Sequence, residues 1–385
     1  MTPGARVAAA IEVLDEVLAG ANVEQCLTTW ARSHRFAGSK DRAAIRDHVF
    51  GALRALRSCA ALGGGMTGRA VMIGAERAAG RDPSALFSGE GYAPPVLSAE
   101  EHDHQPAPLS QGEALDMPDW LLPELGRSLG ADLDVICDAL RPRAPVFLRA
   151  NLARTTREAA QEALASEGIA AVPHSLAKTA LQVTEGERKV AGSCAFADGL
   201  IELQDAASQA ILEGLEIRPG MRVLDYCAGG GGKALALAAL GAKVTAHDIN
   251  PARMRDLPAR AERAGVRIRQ SRNPAADGPF DLVLLDAPCS GAGSWRRSPQ
   301  GKWQLTQARL DELCVIQARI LDKTYEMVAP GGTLAYATCS LLNCENSDQL
   351  RDFQARNPGW KMIHETRLTP LDGADGFYLA ALTRE

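Results

Sequence analysis

Two cysteines in this chain have the surroundings for covalent chemistry. Cys289 lies in Asp286-Ala287-Pro288-Cys289-Ser290, behind the apolar run 280–285, and Cys339 lies in Ala337-Thr338-Cys339-Ser340, behind the run 332–336. Each run has the length and composition of a buried strand, so each thiol is expected in a strand-end loop among small or polar neighbours. A thiolate that adds to carbon 6 of a pyrimidine turns the ring into an enamine. Carbon 5, otherwise a poor nucleophile, can then attack a methyl donor, and one hard step becomes two. A free thiol has a pKa of about 8.5 and needs a local field to ionise. Asp286 is the candidate acid for ring nitrogen 3, where charge builds as the sulfur adds. A second thiol can assist its expulsion afterwards, and the spacing leaves open which cysteine attacks. Cys26, Cys59, Cys137, Cys194 and Cys314 read instead as small buried hydrophobes. No set of His, Cys, Asp and Glu has metal-ligand spacing, so no metal is expected.

The methyl donor has its own signature upstream. Asp225 ends an apolar run and is followed by Tyr226, Cys227, Ala228, Gly229, Gly230, Gly231, Gly232 and Lys233, a turn that opens a helix. Glycines allow positive φ and close approach of backbone to ligand, and a helix N-terminus favours electron-rich groups. Asp248, 23 residues after Asp225, ends the next strand and can accept the two ribose hydroxyls of an adenosine. The loop is neither G-x-G-x-x-G nor a Walker pattern, since Lys233 is followed by Ala. Acid, glycines and second acid fit S-adenosylmethionine better than a dinucleotide.

These residues need a scaffold. From about residue 204 strand and helix patterns alternate, with strands at 222–226, 243–247, 267–270, 280–285, 333–337 and 376–382 and helices near 232–240, 251–265 and 304–329. That implies an α/β fold, a doubly wound Rossmann-like sheet in which the strands ending at Leu285 and Ala337 are neighbours beside the first strand. The expected organisation is an all-α domain over 1–80, an acidic Pro/Gly-rich linker or loop over 81–117, a helical plus small α+β subdomain over 118–200 and the methyltransferase domain over 201–385.

With 385 residues, 46% hydrophobic and 23% charged, the composition is that of a soluble globular protein, and no apolar stretch is long enough to span a membrane. Nine cysteines without paired short spacings suggest reduced thiols and a cytoplasmic home. The net charge of −5 argues against nucleic acid, but its distribution does not: residues 81–140 carry twelve acids against Arg81 and Arg127, a net −10 that leaves +5 elsewhere. Seven arginines lie between 251 and 273, and Arg296, Arg297 and Lys302 follow the first cysteine loop, where phosphate contact is expected.

Taken together, these segments resemble the RsmB/NOP/Sun family of RNA cytosine-5 methyltransferases. The resemblance rests on both cysteine motifs, on Leu203-Gln204-Asp205-Ala206-Ala207-Ser208-Gln209, on Arg296-Arg297-Ser298-Pro299 with Lys302-Trp303, on Glu345-Asn346-Ser347 and on Asp375-Gly376-Phe377-Tyr378. It covers about residues 118–385. Residues 3–80, with Asp41-Arg42 and 49–54, resemble more weakly the NusB-like domain of bacterial RsmB enzymes. It implies an RNA cytosine-5 methyltransferase acting on ribosomal RNA as a monomer, with Cys339 as nucleophile and Cys289 assisting product release. Asp286 and Lys233 would line the base pocket, Asp248 would hold the ribose, and Arg149 and Asn151 would belong to the RNA side. Three positions depart from the family pattern. Gly229 and Gly230 stand where Ala and Pro are usual, which loosens the loop. The third strand ends in Ser271-Arg272-Asn273 without its usual Asp, leaving Asn273 or Ser271 to face the adenine, and Gln300 replaces an acid. The alternative these departures suggest is a non-catalytic RNA-binding or assembly factor with a degenerate cofactor loop.

Overall fold

The computed structural model describes residues 1–384, which form two compact units. The first comprises Met1–Gly126, Gly130–Arg143 and Trp295–Gln304; the second comprises Arg127–Leu129, Ala144–Ser294 and Leu305–Glu385.

The first unit is helical: α1 (Pro3–Leu18), α2 (Val23–Ser33), α3 (Ser39–Arg54), α4 (Leu56–Gly63) and α5 (Gly68–Ala78), followed by shorter turns. Side chains of Thr2, Asn22 and Thr67 accept from the backbone N–H three residues on and so set the starts of α1, α2 and α5. The apolar stripes converge on Val7, Leu14, Ile45, Val49, Leu53, Val71 and Ile73. The acidic segment 81–117, expected as a linker or loop, has little regular structure but is tied to the helices. Phe87 and Met117 are buried, and the fully buried Asp116 carboxylate accepts from the Ser58 N–H at 2.9 Å, the Ser58 hydroxyl at 2.8 Å and Arg141 Nε at 2.9 Å. Residues 130–143 cluster with these helices.

The second unit holds two sheets. β1 (Val146–Ala150), β2 (Ala170–Pro173), β3 (Ala180–Glu185) and β4 (Ile201–Leu203) form an antiparallel sheet in the order β2-β3-β1-β4, backed by α6 (Arg157–Ser166). The larger sheet contains β5 (Arg222–Asp225), β6 (Lys243–Ala246), β7 (Ile268–Gln270), β8 (Phe280–Asp286), β9 (Val328–Thr338), β10 (Trp360–Leu368) and β11 (Phe377–Arg384), in the order β10-β11-β9-β8-β5-β6-β7. The five strands from β9 to β7 run parallel, as the alternating pattern requires, and β10 and β11 add an antiparallel edge. Helices α7 (Ala206–Glu213), α8 (Gly232–Ala239), α9 (Leu257–Ala264), α10 (Gln307–Thr324) and α11 (Ser347–Arg356) belong to this unit. β10 has no counterpart in the sequence reading: its alternate residues are polar and exposed, and it lacks the continuous apolar run of the inner strands. No described helix is long and apolar enough to cross a membrane.

In the first unit α4 crosses α5 through two glycines. A Cβ added to Gly74 would lie 1.8 Å from the Cys59 carbonyl oxygen, and one added to Gly63 would lie 1.8 Å from that of Ala70. Helix propensity alone favours Ala over Gly by about 1 kcal/mol. A backbone clash opposes it, and overpacking costs roughly 3 kcal/mol or more when no flexible side chain can yield. Gly74→Ala is therefore expected to lower the calorimetric midpoint of this unit by roughly 6–12 °C; an unchanged or raised midpoint contradicts the crossing.

Candidate active site

Strand register brings the two cysteine loops together. β8 and β9 pair in parallel with Asp286 opposite Ala337, so Cys289 and Cys339 stand three and two residues beyond one rung of the ladder. Their sulfurs are 3.4 Å apart, within hydrogen-bond range for thiols and unbonded. The pair shares protons unequally. Either sulfur can donate to the other; this contact is the main influence holding the Cys339 thiol below its ordinary range, with Lys233 assisting. The same contact, with burial, pushes Cys289 well above its own range. Among the remaining thiols, burial raises Cys26 to about 11, Cys59 to about 12 and Cys137 to about 12, as expected for inert core residues, whereas Cys194 is exposed and Cys314 half-buried, not the core positions expected of them. Cys227, in the glycine loop, is likewise raised by burial.

Glu345, quoted above only as part of a motif, clamps the loops. Its buried carboxylate accepts from the Ser290 N–H at 2.8 Å and from the Ser290 and Ser340 hydroxyls at 2.5 Å each. Those two serines are the immediate neighbours of Cys289 and Cys339. Gln317 of α10 donates to the same carboxylate at 3.1 Å and to the Pro288 carbonyl at 2.9 Å. Tyr336 of β9 donates to the Glu345 carbonyl at 2.6 Å, and Asn346 donates to the Ser340 carbonyl at 2.9 Å while accepting from Thr338 at 2.5 Å. Spacing in the sequence does not reveal the partner loop, so the clamp emerges only with the fold.

On the other side of the thiols stands an ion pair. Lys233, the first long side chain of α8, reaches Asp286 at 2.6 Å and lies over the Phe377 ring at 4.7 Å. Asp225 ends β5 beneath them. Both its carboxylate oxygens are buried without a hydrogen-bond partner, and burial, reinforced by Asp286, raises its pKa to about 7. At the end of β6 the Asp248 carboxylate accepts from the Gly229 N–H and the Asn250 N–H, each at 2.9 Å, and pairs with Arg253 at 3.2 Å. Gly229 and Gly231 take φ of +51° and +82°, and a Cβ on Gly231 would meet Leu257 at 2.2 Å. Ala228, Gly230 and Gly232 complete the turn onto α8. The third strand ends with Asn273 exposed and Ser271 buried; the Ser271 hydroxyl donates to Asp277. Asp277, six residues on, also pairs with Arg269 at 2.5 Å.

The residues expected on an RNA surface are placed otherwise. Asn151 is buried; its amide donates to the Gly199 and Ala264 carbonyls, each at 2.8 Å, and so fixes a turn. Arg149 is buried opposite Glu202 across the β1–β4 ladder, and desolvation lowers its pKa to about 10. In the first unit the segment Trp295–Gln304 folds onto α3. Arg54 donates to the Arg296 carbonyl at 2.7 Å, Lys302 donates to the Arg54 carbonyl at 3.1 Å and Trp303 donates to the Leu53 carbonyl at 2.7 Å. Arg296 and Lys302 are buried, burial lowers Lys302 to about 8, and Arg297 is half-buried. Lys302, expected to contact phosphate, and Asn151, expected on the RNA side, thus spend donors on backbone carbonyls of the protein. Five of the seven arginines between 251 and 273 are also occupied, by Asp248, Asp256, Glu202 and Asp277.

Residues 212–383 match the family 16S rRNA methyltransferase RsmB/F, and residues 117–190 match the ferredoxin-like domain of the RsmF/B-like methyltransferases. Ribosomal RNA small subunit methyltransferase B of Erwinia tasmaniensis is 37% identical over 285 residues, and that of Serratia proteamaculans is 33% identical. These matches span 70% and 69% of this chain and 66% of the length of each relative. Among solved structures, PH0851 superposes over all of this chain and 99% of its own at a TM-score of 0.80 with 23% identity. A methyltransferase homolog from Pyrococcus horikoshii covers 72% of this chain and all of its own at a TM-score of 0.64 with 24% identity. Both share the fold. With the two domains in family order and the thiol pair where β8 and β9 end, this chain belongs to the RsmB/F family of methyltransferases.

Proposed function

We propose that this protein transfers a methyl group from S-adenosylmethionine to carbon 5 of a cytosine in ribosomal RNA, through a transient bond between Cys339 and the pyrimidine ring. The observation that carries the reading is the 3.4 Å contact between two strand-end thiols, across which a proton can pass. A pair of this kind offers one nucleophile and one proton donor in the same place.

For the cofactor, the donor and acceptor chemistry of the loop fits. S-adenosylmethionine carries an ammonium and two ribose hydroxyls, which need acceptors, and Asp225 is a buried carboxylate with two unused oxygens. We assign the ribose to Asp248, the adenine side to Ser271, Asn273 and Asp277, and the glycine turn from Cys227 to Gly232 to the backbone cradle. When bound, the cofactor supplies an electrophilic methyl group. The protein's residues do the rest. As the Cys339 sulfur adds to carbon 6, nitrogen 3 takes up a proton from Asp286, which the Lys233 ammonium bonded to it at 2.6 Å replaces, and elimination later returns that proton to Lys233 by the same route. After carbon 5 is methylated, its hydrogen must leave as a proton and the carbon–sulfur bond must break. Cys289 hands its proton to the departing sulfur and takes up the one from carbon 5.

Cys339→Ala is expected to abolish methyl incorporation into ribosomal RNA. Cys289→Ala is expected to accumulate an RNA–protein adduct that survives denaturing electrophoresis, because release fails while attack continues. An adduct with Cys339→Ala and none with Cys289→Ala exchanges the two roles. Glu345→Ala removes the clamp without touching the cofactor residues: kcat should fall roughly 100-fold while the cofactor Kd stays within about twofold, the split that loss of positioning produces.

Asp225 allows a test that needs no RNA. Its folded pKa, raised to about 7, lies above its unfolded value, so the burial penalty is absent below about pH 4, accrues as pH rises from about 4 to 7 and is complete above 7. The penalty is at most on the order of 4 kcal/mol. Asp225→Asn should therefore raise the melting temperature at pH 8 but not at pH 4, and should weaken S-adenosylmethionine binding at least tenfold by calorimetry. Wild-type protein that gives no heat with the cofactor would favour the non-catalytic alternative.

A further inference from the structure

We infer that Arg260 of α9 is a positioning residue for the methyl donor: it braces the glycine turn from outside and, through Glu202, ties that turn to the four-stranded sheet. The inference rests on the proposed cofactor site and deepens it with a residue that lies outside the turn.

Gly229, Gly230, Gly231 and Gly232 follow one another, so the turn has more backbone freedom than any other residue type would leave it. Two of the four are held by their own N–H groups. Gly229 donates to Asp248 at 2.9 Å, and Gly231 donates to the Ala228 carbonyl at 2.8 Å. Gly230, exposed between them, is held through its carbonyl, which accepts from Nη1 of Arg260. A Cβ built on Gly230 would meet that same Nη1 at 3.1 Å, and among the described residues beyond its chain neighbours nothing else lies within 4 Å of it. Arg260 is therefore what packs against the turn at this point.

The other arm of Arg260 is anchored. Its Nη2 donates to Oε2 of Glu202 at 2.9 Å, and Arg263, three residues along α9, donates to Oε1 at 2.5 Å. Glu202 belongs to β4 and its carboxylate is buried. Arg263 in turn lies over the Phe196 ring at 4.1 Å. A planar guanidinium presents its donors in fixed directions and serves a carbonyl and a carboxylate together; an ammonium on a flexible stem has no such fork. The chain thus runs from β4 through one buried acid and one arginine to the glycine turn. A ligand that binds only the ordered turn loses affinity in proportion to the time the turn spends otherwise. Order imposed beforehand by Arg260 removes that loss, as preorganisation does generally.

Two measurements on the full chain test the inference, and one needs no cofactor. Hydrogen exchange of the amides at 227–232 in the unliganded protein should rise about tenfold in Arg260→Ala, by the loss of one charge-assisted bond. S-adenosylmethionine should bind the same variant about tenfold more weakly by calorimetry. In methyl transfer the KM for the cofactor should rise by a similar factor while kcat stays within about twofold. Gly230→Ala then separates bracing from a structural role in α9. Gly230 does not take positive φ, so alanine is compatible with its backbone. In the Arg260→Ala background the new methyl group has open space and should recover affinity roughly two- to fivefold by restricting the turn. In the wild type it displaces Nη1 and should weaken binding. Glu202→Gln should reproduce part of the Arg260→Ala effect and add nothing to it in the double variant. The inference is overturned if Arg260→Ala leaves exchange and affinity unchanged while the wild type binds cofactor. It is also overturned if Gly230→Ala changes affinity by the same factor in both backgrounds, or if Glu202→Gln acts in full without Arg260. A wild type that gives no heat with S-adenosylmethionine overturns the cofactor reading and this one together.

Discussion

The rung of the sheet that sets Asp286 opposite Ala337 is the constraint on which the site depends. A thiol pair at 3.4 Å needs two loops to leave the sheet from the same height. Parallel strands with both faces covered allow no slip of a single residue, because a slip moves every buried side chain to the wrong face. The ladder delivers the loops but does not fix their ends. Glu345 does so, with one carboxylate bonded to the residue after each cysteine. Hydrogen bonds to a charged group are worth roughly 1.5–3 kcal/mol each. Several of them acting on two short loops outweigh the freedom that those loops would otherwise have, at about 1–2 kcal/mol per residue.

Electrostatics divides the work between the thiols. Around them are three acids, Asp225, Asp286 and Glu345, and one cation, Lys233. Acids disfavour a thiolate, so in the proposed reaction the attacking sulfur is the one that the cation favours; Lys233 favours the Cys339 thiolate, and either sulfur of the pair can donate to the other. The same crowding explains the orphaned oxygens of Asp225: with Lys233 committed to Asp286 at 2.6 Å, no protein donor remains for the acid beneath. A folded protein tolerates such a group only where something else repays it, and the end of the first strand in a doubly wound sheet is the place where ligands bind.

How much of this was legible in the sequence depended on whether the signal was local. The parallel strands, the glycine turn and both cysteine loops were readable, because buried strands are apolar throughout and strand-end chemistry follows directly in the chain. The antiparallel edge strand β10 was not, since its polar alternate residues dilute the run. The clamp was not, since its partners lie 55 and 5 residues from Glu345 and only the fold makes them equivalent. Arg296 and Lys302 misled for a related reason. A basic cluster beside a catalytic loop reads as a phosphate site, but charge in a sequence carries no record of which carbonyls will claim it.

Gln300 shows how such a claim can be traced afterwards. Its position departs from the acid usual in the family pattern, and in the structure its side chain donates to the Ala21 carbonyl at 2.6 Å while accepting from the Val23 N–H at 3.0 Å. Only an amide performs both functions at once; a carboxylate would satisfy the start of α2 and leave the Ala21 carbonyl facing a like charge. The substitution is thus matched to the helix start it serves. The segment 295–304 is a structural part of the helical unit, although it is continuous in sequence with the first cysteine loop. Residues adjacent along the chain here answer to different cores, and a position's chemistry follows from the core to which it belongs.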